Sequence, residues 1–459
     1  MLPRHIQSKR RDLARRAVIA LAGVLACSSF AAASATLLLE EPYGKLGFFT
    51  ATGHAAVYLS GVCADSPTVL RPCAPGETGV VISRYDGVGG YDWVAVPLVA
   101  YLYAVDRPED IPLFADPKMV SFLRDRYRRA HFGDIVPDRN NGETPGGNWY
   151  ELVGSSYDRT IYGYEIETTP HQDEALIRKL NASPNQSHFH TVSRNCADFA
   201  KDIINFYYPK ALHRSVVADV GITTPKQMAK MLVKFNRRHP EIPYSRLVIA
   251  QVPGSMPRSF SVHGVVESFF KSKKYFVPTA VVCPMCAGSV VAVYVGTGAG
   301  RFHSGHDFLV FNPGSSPEPP LGSEDRLAYE HQLQNLLTET YPVTSGRSVE
   351  REWSKLQARA RADFDDQGRP ILQMKLDGHM VRIGASADNV LDGSAPPQLA
   401  RELLEARLQS ELRRKAASET TEREVSRDWT LLQQALGNGQ SGLTARTTDR
   451  ADDPSGNRQ

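Results

Sequence analysis

Arg194-Asn195-Cys196-Ala197-Asp198-Phe199-Ala200 is the stretch on which the reading of this chain turns. Asn195 is a strong helix N-cap, and Asp198 stands three residues on, where its side chain can answer the cap. Phe199, Ile203 and Phe206 then fall on one helical face. A helix should therefore begin at Cys196, which places a thiol in the first turn. Free backbone N–H groups and the macrodipole stabilise a thiolate there, and the same groups can hold an oxyanion. The plainer reading of these residues is a helix start with a buried cysteine that packs as a small hydrophobe.

A thiol nucleophile needs a base. Gly53-His54-Ala55-Ala56-Val57-Tyr58-Leu59 offers one at the start of an expected strand, where the ring is held rigidly. Further β-type runs are Val80 to Tyr85, ended by Asp86-Gly87, then Trp93 to Leu98, and the Tyr-rich Ile161 to Ile166. Thr224-Pro225-Lys226-Gln227 reads as a capping box with proline at the first helical position. Strand and helix signals mix, so the class is α+β.

These residues carry a resemblance. The Gly-His-aliphatic-Tyr-Leu strand resembles the histidine strand of NlpC-like cysteine peptidases. The Asn-Cys-x-x-Phe helix start resembles the cysteine segment of lecithin:retinol-acyltransferase-like proteins. His54 precedes Cys196, which is the circularly permuted order within this papain-like superfamily. The resemblance spans roughly residues 45–235 and rests on those two motifs. It implies a circularly permuted papain-like domain, with an antiparallel sheet and a cysteine-bearing helix. Cys196 would be the nucleophile and His54 the base. The third place belongs to a polar residue on the strand after the histidine, which orients the imidazole. Ser83 is the best-placed residue for it, with Tyr85 and Asp86 as competitors. His188 and His190 also lie near Cys196, and His263 follows it, in a stretch that reads as helix. His54 is preferred over all three.

The N-terminus reads as a leader. Arg4, Lys9, Arg10, Arg11, Arg15 and Arg16 precede the apolar Ala17 to Ala26, and Ala33-Ser34-Ala35 is a small-x-small cleavage site before Thr36. That is the layout of a secretory signal peptide. A lipid anchor on Cys27 is the minority alternative. The first 35 residues hold six Lys/Arg and one Asp, so the net charge of +3 becomes −2 once they are removed. No global basic field is left for nucleic acid. Export implies an oxidising compartment, the periplasm or cell envelope. Cys63 and Cys73 flank a short Pro-containing loop and could pair. Cys283-Pro284-Met285-Cys286 reads as a local disulfide or two buried thiols, which leaves Cys196 over.

The expected map is a signal peptide at 1–35, the papain-like domain at 36–260 and an apolar segment at 276–298. A helical region with a small hairpin follows at 320–436, and a disordered tail at 437–459. The segment 276–298 reads either as a membrane span or as a buried β-hairpin. Leucines at 333–337 and 399–412 suggest helices, and Leu372 to Ile383 a hairpin turning at Asp377-Gly378. Gly296-Thr297-Gly298-Ala299-Gly300 lacks the dinucleotide fingerprint, and His303, His306 and Asp307 lack a second ligand cluster. No cofactor or metal is expected. The functional expectation is an exported thiol hydrolase or acyltransferase acting on cell-wall peptide amides or lipid acyl groups. The competing class is a non-catalytic envelope scaffold, or a membrane-tethered binding protein, with the same fold. Oligomeric state is not legible.

Overall fold

A computed structural model describes residues 33–385, apart from 45–50, 113–114, 187–188, 218, 253, 255, 303–307, 312–316, 341–357 and 377. The leader 1–32, Cys27, His188, the His303/His306/Asp307 group, the leucines 399–412 and the tail all lie outside the described residues.

The sheet strands are β1 (Ser34–Glu40), β2 (His54–Leu59), β5 (Val80–Ser83), β6 (Val94–Pro97), β7 (Ile161–Glu167), β8 (Tyr244–Ile249) and β9 (Leu309–Val310), while β3 (Val62–Ser66) and β4 (Val69–Pro72) form a separate hairpin. Their order is β6-β5-β2-β1-β7-β8-β9. Every pair is antiparallel except β8 with β9, which is parallel. The fold is therefore α+β around an antiparallel-rich sheet, as the sequence implies. The sheet does not stop at residue 260, because β9 extends its edge.

Leu37, Leu38 and Leu39 of β1 are all buried, although strand neighbours point to opposite faces. The reason is that the sheet is covered on both sides. Leu38, Ala56 and Val81 face α1 (Leu98–Tyr103), α2 (Pro117–His131) and α3 (Ser155–Asp158). Leu37, Leu39, Ala55, Val57 and Ile82 face α4 (Pro170–Ala182), α5 (Cys196–Tyr207) and α6 (Pro225–Arg238).

The caps act as the residue types dictate. Asn195 and Asp198 make a reciprocal capping box at α5. At α6, Thr224 accepts from the Gln227 amide, but the Gln227 side-chain oxygen and nitrogen find no partner, so only half of the expected box forms.

The region after 260 differs most from expectation. After α7 (Val265–Lys271), the apolar segment is neither a span nor a β-hairpin. It forms two short helices, α8 (Lys273–Val282) and α9 (Pro284–Gly296), broken at Cys283 where proline follows. No helix among the described residues is long and apolar enough to cross a membrane. Beyond it come α10 (Ser323–Thr340) and a three-stranded sheet of β10 (Arg361–Phe364), β11 (Pro370–Leu376) and β12 (His379–Gly384). Within the described part, the leucines at 333–337 lie on α10 and Leu372 to Ile383 form the expected hairpin, to which β10 adds a third strand. Leu372, Met374, Val381 and Ile383 join the core against α2, and Phe122 packs on Phe364 with ring centroids 4.7 Å apart. Disulfides join Cys63 to Cys73 and Cys283 to Cys286.

β1 begins upstream of the expected cleavage bond. Ser60 N–H donates to the Ser34 carbonyl at 3.0 Å, Thr168 N–H donates to the Ala33 carbonyl at 2.7 Å, and Ala35 is fully buried. A chain starting at Thr36 should be less stable than one starting at Ala33 by about 2–3 kcal/mol, at roughly 1 kcal/mol per lost hydrogen bond. Denaturant melts of the two chains measure this. If the chain is processed, intact mass should accordingly give an N-terminus at or before Ala33, not at Thr36.

Candidate functional site

The loop before α5 is fixed from several directions. Asn195 Oδ1 accepts from the Asp198 amide at 3.0 Å, and Asn195 Nδ2 donates to the Thr191 and Thr223 carbonyls at 2.9 and 3.0 Å. Asp198 Oδ1 accepts from Thr223 Oγ1 at 2.6 Å and from Arg214 Nη2 at 2.9 Å. Arg84 forks onto Asp92 with two bonds of 2.8 Å, and Arg194 reaches the same carboxylate at 2.8 Å. This network ties β5 to the residues flanking Cys196. Cys196 itself keeps a free thiol. Backbone N–H groups of Ala55 and Ala197 donate to its sulfur. The first of these belongs to the residue directly after His54, so the Cys196 sulfur lies against the first residues of β2.

The chain reaches β2 through Gly53, at φ +70°. A Cβ there would lie 2.1 Å from the Glu40 carbonyl oxygen, so only glycine fits. His54 is paired with Glu40 in the sheet register. Its ring stacks on Tyr85 at 5.4 Å, with 22° between the planes. Ser83 Oγ is 2.9 Å from His54 Nε2 and donates to the Ala55 carbonyl at 2.8 Å. A hydroxyl has one proton. With that proton on the carbonyl, Ser83 can only accept, so Nε2 carries the imidazole hydrogen. Nδ1 is then the acceptor nitrogen of the ring. Of the three residues considered for the third place, Ser83 orients the ring by hydrogen bond, Tyr85 supports it by stacking, and Asp86 lies exposed on the cavity wall.

The cavity holds about 280 Å³ and is lined by Cys196 and His54 together with Arg84, Tyr85, Asp86, Glu151 and the apolar Phe189, Ile222 and Val265. It has room for a small acyl or amide group. His190 and His263 are not on its wall. His190 Nδ1 pairs with Ser193 Oγ at 2.9 Å, and His263 lies 3.1 Å from the Lys271 ammonium.

Electrostatics correct one expectation. The helix start does not hold a thiolate at rest. Burial pushes the Cys196 thiol up to about 11, against the pull of the two N–H donors. Burial, aided by the Arg159 cation, pushes His54 down to about 3. The resting pair is therefore neutral thiol and neutral imidazole. Arg159 is itself buried beside Glu40, with Nη1 3.3 Å from Oε2, and Tyr101 donates to the other Glu40 oxygen. Burial still raises the Glu40 carboxyl above its usual range, and it does the same to Glu151 at the cavity wall. Sequence reasoning missed Glu40, Arg159 and Glu151. Only Glu40 had a local signal, a carboxylate ending an otherwise apolar strand.

No family model, curated protein or solved structure matches this chain.

Two measurements check the electrostatics. With the thiol near 11, the thiolate fraction at pH 7 is about 10⁻⁴. Alkylation of Cys196 by iodoacetamide should therefore be slow at pH 7 and rise about tenfold per pH unit up to pH ~10. A plateau reached near pH 7 would contradict the neutral pair. Separately, folded His54 stays neutral down to about pH 3, whereas an unfolded imidazole takes up its proton below 6.5. The unfolded state binds more protons in that window, so stability falls as pH falls through it. His54→Gln should remove about 3 kcal/mol of this acid sensitivity, read from denaturant melts at pH 7 and pH 4.

Proposed function

We propose that this chain is an exported cysteine-dependent hydrolase or acyltransferase with a circularly permuted papain-like α+β domain. One observation carries the reading. His54 and Cys196 line the same cavity, and Ser83 Oγ holds the His54 ring from 2.9 Å at Nε2 while it donates to the Ala55 carbonyl.

The neutral resting pair shapes the mechanism. Proton transfer from Cys196 to His54 Nδ1 accompanies attack of the sulfur on an acyl carbon. The C–S bond forms as the S–H bond breaks, and charge developing on sulfur is met by the Ala55 and Ala197 N–H groups. The imidazolium returns its proton to the departing amine or alkoxide, leaving an acyl-thioester. Water or an amine then attacks, His54 takes its proton, and the thiol is regenerated. Substrates of this chemistry are cell-wall peptide amides or lipid acyl groups, in the periplasm or cell envelope.

Cys196→Ser should abolish a thiol-linked acyl adduct detectable by intact mass, and His54→Ala should slow acylation by about 10²–10⁴-fold. Ser83→Ala should slow it by about 10–100-fold, the equivalent of one buried hydrogen bond left unmade. Unchanged turnover in both Cys196→Ala and His54→Ala would end the proposal. An adduct absent from wild-type protein, with every substrate class tried, would favour the scaffold reading.

A further inference from the structure

The pair α8 and α9 buries almost nothing, although its composition is that of a core. No residue of α8 is buried, and only Ala287 of α9 is. Residues 275–300 contain no Asp, Glu, Lys or Arg. At the bend, Val281, Val282 and Met285 are 77%, 85% and 86% exposed. Exposed apolar area of this kind marks an interaction surface.

Charge and shape say which surface. A helix that docks in a protein groove needs one apolar stripe, and its other face is polar. These two helices are apolar all round, which suits immersion in a medium that is apolar on every side. At about 1.5 Å per residue, the 10 and 13 residues reach only ~15 and ~20 Å. That is less than the ~30 Å of a bilayer core, so neither helix crosses it. The charges sit at the base, with Lys271, Lys273 and Lys274 exposed on one side and Arg301 closing the apolar run on the other. Lys271 also pairs with Glu267 at 2.8 Å, and Lys274 lies 5.5 Å over the Tyr275 ring. Phe270 of α7 stacks on Tyr294 at 4.5 Å and meets Phe276 at 5.1 Å, so the base is held to the body of the protein. The Cys283–Cys286 disulfide closes the tip.

We infer that α8 and α9 form a hairpin that dips into one leaflet of an anionic phospholipid bilayer, tip first, with the basal lysines at the headgroups. The hairpin is mounted on α7, whose first residue, Val265, lines the Cys196 cavity. A short helix therefore separates the candidate site from the bilayer surface. On the catalytic reading above, this favours membrane-borne acyl groups over cell-wall peptides. The bilayer seat itself does not depend on that reading.

Flotation of the full chain with vesicles of phosphatidylcholine, with and without phosphatidylglycerol, tests it. Val282→Asp/Met285→Asp should weaken binding to both vesicle types by at least ~100-fold. Lys273→Ala/Lys274→Ala should weaken binding about 10-fold or more, only where phosphatidylglycerol is present. All forms carry the same N-terminal segment, so the differences read the hairpin alone. The altered residues are exposed, and unchanged thermal melts will show that the fold is kept. Cys196→Ser should bind vesicles as wild type does, which separates this proposal from the catalytic one. Wild-type vesicle binding by the tip variant would overturn the inference. So would a tip variant that keeps vesicle binding but changes the sedimentation of the free protein, which would make the hairpin a protein interface.

Discussion

Ser83 has one proton to give, and the Ala55 carbonyl takes it. The sheet sets that choice, because pairing of β2 with β5 aligns Val57 with Ile82 and carries Ser83 to the start of β2. Strand register thus brings the Ser83 hydroxyl to the His54 ring. A carboxylate in the Ser83 position would also accept from Nε2, but its charge would stabilise the imidazolium. A hydroxyl accepts without charge. It orients the ring and leaves it a weak base, in keeping with the depressed His54 value.

The charges beneath the ring work in the same direction. Arg159 is buried and positive, and it opposes a second positive charge on His54. Glu40 and the Tyr43 ring keep that guanidinium partnered, the ring lying 4.4 Å away. Removing one member of a buried pair costs about 3–5 kcal/mol, so the pair holds itself in place. The result is a thiol that rests un-ionised beside a neutral imidazole. Thiolate character governs oxidation. A thiol that rests neutral is correspondingly slow to oxidise or to exchange.

Features set over a few residues of chain were legible in the sequence. The Asn195–Asp198 box depends on residues three apart, and β2 and β7 on short apolar and Tyr-rich runs of six or seven residues. Ser83 was reachable because its strand follows the histidine strand, with only the β3–β4 hairpin between them. What depends on distant chain was not legible. Arg159 meets Glu40 across more than a hundred residues, and β9 joins β8 from the far side of the apolar segment. Nor does any local pattern distinguish a thiolate from a thiol at a helix start. The N–H donors favour the charge, burial opposes it, and only the packed surroundings of Cys196 show that burial wins.

The segment 276–298 shows why composition misleads where backbone continuity decides. Its apolar length suits a span, but a span needs one unbroken ladder of hydrogen bonds. Pro284 has no N–H to give, and Cys283, at φ −138°, has already left helical geometry. The ladder therefore ends with the Cys283 N–H bond to the Thr279 carbonyl, and the next helix begins at Pro284. A β-hairpin fails for a different reason. With no sheet edge to complete it, its outer N–H and C=O groups would need water, whereas each short helix satisfies most of its own. Paired helices are the form in which this segment keeps its backbone satisfied while its side chains remain unburied, in water or in lipid.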